Sequence, residues 1–290
     1  ADIRFEDNEV NSLGAEDGEP KEASRSREQG FGIRALVNGW GFAAFSANQR
    51  EVREELLAQV ENAVKAAKAG ERIELSEAQA FQDSFSTRMQ IDPERVSEEA
   101  KVELCIEASK RMKQVSGVVK SFAGIGDLRI NKVFFNSEGS IIRQTQAYSF
   151  CGLGAVAKNN GERDYFEWGD GAQAGFEVIR DFDLIEQSTG VAEKAVALVN
   201  AKGIKQEETQ VVLDNDFLAL IIHEIIGHPS EADRLLGKEA AWAGTAWWKD
   251  RVGEQIGSEK VSIVSDASLQ GHYGSFAYDD EGVKAQRVEH

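Results

Sequence analysis

Cysteine, proline, methionine and histidine are all scarce in this chain: two, three, two and four in 290 residues. Two cysteines in a chain this long do not make a disulfide framework, so a hydrophobic core must hold the fold. Cys105 lies in the helix-like KVELCIEASKRM and Cys151 in the strand-like AYSFCGLGAV. Both read as small buried apolar groups rather than ligands or nucleophiles. Three prolines and no internal repeat leave no obvious linker. No apolar run approaches the roughly 20 residues that cross a bilayer, and no signal peptide opens the chain. A reducing, cytoplasmic setting without a membrane partner is therefore expected. Basic charge is also short: 33 Lys and Arg against 50 Asp and Glu give a net charge of −17. Such a surface repels a polyanion, which argues against a nucleic-acid partner.

What is present is an ordinary globular composition, 41% hydrophobic and 29% charged, in a chain long enough for one large domain or two smaller ones. ADIRFEDNEV and FGIRALVNGWGFAAFSA read as β structure, the second with an Asn-Gly hairpin signal. Residues 49–70 carry apolar positions at helical spacing and close on Gly70. A second helix is expected near 94–118, with Pro93 at its start. Residues 128–180 alternate around two turn clusters, NSEG and NNGE, as an antiparallel meander does. LIEQSTGVAEKAVALVNAKG reads as a helix and QVVLD as a short strand. Strands grouped with strands predict an α+β fold: an antiparallel sheet or meander with packed helices. The expected division is an N-terminal α+β domain over 1–204 and the start of a second, metal-binding domain over 205–290.

The chemistry concentrates in ALIIHEIIGHPSEAD, residues 219–233, where two of the four histidines and a glutamate stand among isoleucines. Asp214, Asn215 and Asp216 offer N-caps for a helix through this run. Apolar residues on nearly every side imply burial, where ionisable groups need a partner or a metal. The difficulty is spacing. At about 100° per residue, side chains five apart on an α-helix diverge by about 140°, so His223 and His228 cannot aim at one ion. Gly227 and Pro229 suggest the remedy. Proline removes a backbone donor and biases His228 away from the α region, so a break near Pro229 should swing that imidazole back. Ser230, three residues before Asp233, resembles a cap for a following helix. Glu224 then reads as a general base beside a metal-bound water, or as a group that only orients a ligand.

His223-Glu224-Ile225-Ile226-Gly227-His228, GSFAYDDEGVKAQ downstream and GFGIRALVNGWGFAAFS upstream together resemble the TldD/PmbA peptidase family, specifically its TldD-like metal-binding branch. The resemblance implies a zinc-dependent peptidase acting on unfolded or modified peptides, including peptide maturation. It implies zinc held by His223, His228 and a cysteine, and a heterodimer with a TldE/PmbA-like subunit, although the sequence leaves a homo-oligomer open. No cysteine follows position 151, Ala1 stands where Met is usual, and the chain ends at His290. The cysteine ligand is therefore expected in a missing C-terminal segment, and any metal bound by this chain alone is expected to be weak, with poor or no peptidase activity. His272 in GHYG is the substitute ligand candidate but reads rather as a surface histidine, Asp279-Asp280-Glu281 as a turn rather than a calcium loop, and the tryptophans of AAWAGTAWWKD as packing in the core or at a subunit interface. The competing reading is a peptide-binding or assembly subunit whose metal site is structural or incomplete.

Overall fold

Alternation over the meander produces three long strands in the computed structural model, which describes residues 1–37, 39–46, 52–66, 75–237, 239, 246–251 and 253–290. The chain divides into two compact units, Ala1–Ala201 with Val264–His290, and Lys202–Ile263. In the first unit, β1 (Asp2–Glu16), β2 (Glu19–Leu36) and β3 (Trp40–Ser46) form successive hairpins. After α1 (Val52–Ala66) comes the short β4 (Gln82–Ser86), then α2 (Glu98–Lys113). The meander is β5 (Val118–Asn136), β6 (Ile141–Asn159) and β7 (Glu162–Ala172). The sheet order is β3-β2-β1-β5-β6-β4, with β7 also paired to β6.

Two turns set the register. Asp17-Gly18 and Asn160-Gly161 place both central residues at positive φ, which matches the twist of the strands they join. The first of these was not anticipated, because the outer half of β2, from Glu19 to Gln29, is exposed throughout and shows no apolar alternation. Pairing with β1 along its whole length orders it instead. The meander also gains a parallel neighbour, β4 on β6. The expected helix near 94–118 begins later: Pro93–Arg95 form a separate 3-10 turn, and Ser97 caps α2 by accepting from the Ala100 N–H at 3.2 Å. The ends of the expected helix over 49–70 and Asn38 of the Asn-Gly signal lie outside the described residues.

α3 (Glu177–Phe182) and α4 (Leu184–Val199) complete the main layer. Cys105, Ala108 and Met112 of α2 and Val191, Ala192 and Ala195 of α4 bury against Ile125, Cys151, Leu153 and Ala155 of the sheet. Small residues dominate this seam, so helix and sheet backbones approach closely. Burial pushes both thiols, Cys105 and Cys151, up to about 12. Glu177 closes the layer. Its carboxylate accepts from the N–H groups of Gln90, Ile91 and Gly175 at 2.9–3.0 Å. Burial alone would raise its pKa, but these donors hold it below the usual carboxylate value.

Residues 264–290 return to this unit, where β8 (Val264–Asp266) pairs with β9 (Arg287–Glu289). The acidic run is a turn. The Asp279 carboxylate accepts from Glu281 and Val283 N–H groups, Lys132 binds Asp280 and Arg34 binds Glu281, the last two at 2.9 Å. Gln144 exchanges two hydrogen bonds with the Tyr278 backbone, fixing the segment to β6.

The second unit departs from expectation at QVVLD. It is not a strand, and Val212 is 99% exposed. A strand needs a neighbour to satisfy its backbone, and among the described residues none pairs with it. α5 (Asn215–Ile222) and the four-residue α6 (Ala232–Leu235) flank the histidine motif. No described helix is long and apolar enough to cross a membrane.

Candidate metal centre

Asp214 caps α5 by accepting from the Phe217 N–H at 2.9 Å. The α-helical pattern stops at Ile222 and widens into a π turn over His223–Gly227, followed by a 3-10 turn over His228–Ser230. Its signature bond runs from the His228 N–H to the His223 carbonyl, a separation of five. In such a turn, residues five apart complete roughly one revolution and stack as residues four apart do in an α-helix. The helix is thus interrupted before Pro229, but not by deflecting His228. That residue keeps ordinary helical angles, φ −59° and ψ −45°. The extra residue is absorbed on the N-terminal side, where the wider turn accommodates it.

Proline still shapes the site through its missing donor. In α register Pro229 would have faced the Ile225 carbonyl; that oxygen instead accepts the indole N–H of Trp247 at 2.8 Å. The Ser230 hydroxyl donates to the Ile226 carbonyl at 2.6 Å. Ser230 therefore does not cap the next helix. Glu231 occupies that position, and its carboxylate turns toward His228.

The two imidazoles face each other, with Nε2 atoms 2.9 Å apart and rings edge-to-face at 4.4 Å. Glu224 Oε2 stands 4.0 Å from His228 Nε2. On the other flank of His228, Nδ1 lies 2.7 Å from Glu231 Oε1. A carboxylate only accepts, so His228 donates from Nδ1, and as a neutral ring it presents its Nε2 lone pair toward His223. Glu231 is held below the usual carboxylate range by the His228 hydrogen bond, which outweighs desolvation, with further help from the Arg234 charge.

This arrangement fits a divalent metal. Two imidazole nitrogens at tetrahedral zinc distances stand about 3.3 Å apart. The observed 2.9 Å needs an opening of only about 0.4 Å, and a neutral His223 carrying its proton on Nδ1 presents the second lone pair from Nε2. His223, Glu224 and His228 form one group whose ligand atoms all lie within 4.8 Å of one another. A second group, Glu231, Asp233 and Glu239, meets the same distance test. The Arg234 guanidinium already sits there, at 3.0 Å from Glu231 and 2.6 Å from Glu239, and supplies the positive charge those carboxylates need.

The expected burial of this stretch does not hold. No residue of α5 is buried, His223 and Glu224 are exposed, and Ile226 is the buried member of the motif. Unpaired burial therefore supplies no argument for a metal; the facing nitrogens do. His272 is exposed on a tight turn closed by the Ser275 N–H on its carbonyl. Trp247 is half exposed, and Trp242 lies outside the described residues. Sequence gives no role to Glu231, Arg234 or Glu239, and reads Trp247 only as a packing residue. The only signal was Glu231 three residues after His228, a separation that neighbours share in a helix.

Comparison with known proteins covers nearly the whole chain. Residues 1–68, 91–202 and 206–290 match in turn domain 1, the central domain and the C-terminal domain of the PmbA/TldA metallopeptidases. A metalloprotease of Methanocaldococcus jannaschii is 32% identical over 99% of this chain and 62% of its own length. A zinc metalloprotease TldD homolog of Saccharolobus solfataricus is 24% identical over 100% of this chain and 61% of its own. Among solved structures, TldE from Thermococcus kodakarensis superposes with a TM-score of 0.63 at 17% identity, covering 99% of this chain and 64% of that one, a likeness of fold alone. The chain thus spans about three fifths of the length of these relatives.

Proposed function

Because the chain belongs to the PmbA/TldD metallopeptidase family, we propose that it is a zinc-dependent peptidase subunit that hydrolyses unfolded or modified peptides. His223 and His228 are the metal ligands in this reading, and Glu224 is the general base. The observation that supports it is the π turn that sets two imidazole nitrogens face to face, 2.9 Å apart, beside a carboxylate. Zinc bound there would supply Lewis acidity toward a peptide carbonyl and make water a competent nucleophile at neutral pH.

The chain's own groups would do the rest. The Glu224 carboxylate is more than half exposed and reaches within 4.0 Å of His228 Nε2, beside the place where a metal and its water would sit. It takes a proton from that water as the water attacks, and returns it to the leaving amine. A catalytic zinc set normally has three protein ligands, and a cysteine is the proposed third. Cys105 and Cys151 do not serve, since both are buried with their thiols pushed up to about 12. Residues 205–290 belong to the catalytic domain in this proposal, the setting is cytoplasmic, and the partner is a TldE/PmbA-like subunit. The zinc-metalloprotease name of one relative supports the metal, and the TldE likeness supports the choice of partner.

Glu224→Gln tests the reading. Zinc content should match wild type while cleavage of an unfolded peptide falls by roughly 10²–10⁴-fold. Unchanged cleavage would remove Glu224 from the base role. A wild-type protein that holds zinc with a cysteine as third ligand, binds peptide and partner, and yet never cleaves would make this a binding subunit.

A further inference from the structure

We propose that Glu231 is a positioning residue that fixes which nitrogen of His228 faces the metal, and that Arg234 and Glu239 hold it in that role. The inference rests on the metal-binding reading of His223 and His228.

Three observations carry it. The Glu231 carboxylate contacts Nδ1 of His228 at 2.7 Å, on the ring flank away from Nε2, so it is placed to orient the ring and not to share the ligand position. Its second oxygen is tied to Arg234 Nε at 3.0 Å, and the same Nε reaches Glu239 at 2.6 Å. Finally, Arg234 and Glu239 are the better covered end of this chain of contacts, with side chains 19% and 23% exposed against 42% for Glu231. The covered pair anchors the exposed carboxylate, and the carboxylate anchors the imidazole.

The chemistry follows from the two states of an imidazole. A neutral ring can present a lone pair at Nδ1 or at Nε2, and only the second suits a metal lying between the facing Nε2 atoms. A carboxylate accepting from Nδ1–H selects that state and makes Nε2 a stronger donor. Arg234 keeps the carboxylate from turning away, and its charge offsets the acidic group that Glu231 forms with Asp233 and Glu239. Without Glu231 the ring would sample both tautomers and both orientations.

Glu231→Ala and Glu231→Gln in the full chain test this by two readings independent of peptidase activity. One is zinc affinity by competition with a chromophoric chelator; the other is the His228 tautomer by long-range ¹H–¹⁵N NMR. Glu231→Ala should lower zinc affinity by about 10–100-fold and spread His228 over both tautomers. Glu231→Gln keeps an acceptor oxygen, preserves the shape and should recover part of the loss. Arg234→Gln should give a smaller loss than Glu231→Ala. If Glu231→Ala leaves affinity and tautomer as in wild type, the positioning role is wrong while the metal site stands. If wild type binds no zinc at all, the metal site itself fails and the inference falls with it.

Discussion

Strand β6 and helix α5 are both strongly apolar, yet the protein treats them in opposite ways. In β6, Leu153, Ala155 and Ala157 are at most 1% exposed, because strands pair along it on both edges and helices cover that face, while the equally buried Ile142 packs against Phe134 and Tyr278. In α5, Phe217 and Leu220 are more than half exposed and no residue is buried. An apolar pattern states which face could be covered, and the rest of the fold decides whether it is. The sheet unit draws its stability from buried area. The motif draws its geometry from hydrogen bonds: the Asp214 cap, the five-residue backbone bond, and the Trp247 and Ser230 side chains on carbonyls near Pro229.

The contrast can be broken most directly by paired truncations. Leu153→Ala should cost about 2–5 kcal/mol in urea denaturation followed by far-UV circular dichroism. Leu220→Ala should stay within about 0.5 kcal/mol, as a surface change does. Equal costs would mean that α5 is covered after all.

An intermediate effect is expected from Glu177, whose depressed pKa ties the sheet unit to pH. A carboxylate with a lowered folded pKa contributes stability above its unfolded value of about 4.3, and that contribution is lost as pH falls through the folded value. Glu177→Gln should therefore cost roughly 1–3 kcal/mol at neutral pH, with the gap to wild type closing below about pH 4. A gap independent of pH would assign the loss to packing rather than charge.

The smallest effect sharpens the other side. Gly227 sits at φ −57°, ψ −65° with nothing within 4 Å of where a Cβ would be. The turn thus makes no use of glycine's freedom, and Gly227→Ala should be neutral or stabilising by about 0.4–1 kcal/mol, with zinc affinity unchanged. A large loss would restore the view that a loosened backbone is what brings the imidazoles together.

Much of this was legible in residue order. The meander, α4 and the Asp214 cap follow from periods of two and 3.6 and from turn and cap chemistry. The outer half of β2 was not, because both of its faces meet solvent and only its pairing with β1 makes it a strand. QVVLD shows the converse: β-branched residues without a partner strand. At the motif, the histidines and Glu224 stood out by rarity, whereas Glu231 and the contact that Trp247 makes did not, since a surface carboxylate and a distant indole carry no local signature of their partners.

Residue identity alone thus determined the α+β class and the presence of two imidazoles and a carboxylate within six positions. Only the structure decided how those imidazoles meet, through a π turn rather than a deflection at Pro229. Periodicity counts residues as if every turn were an α turn, and a single five-residue turn changes which side chains share a face. The contacts accompanying that turn, Trp247 on the Ile225 carbonyl and Glu231 on His228, are made by side chains whose positions no pattern within the motif records.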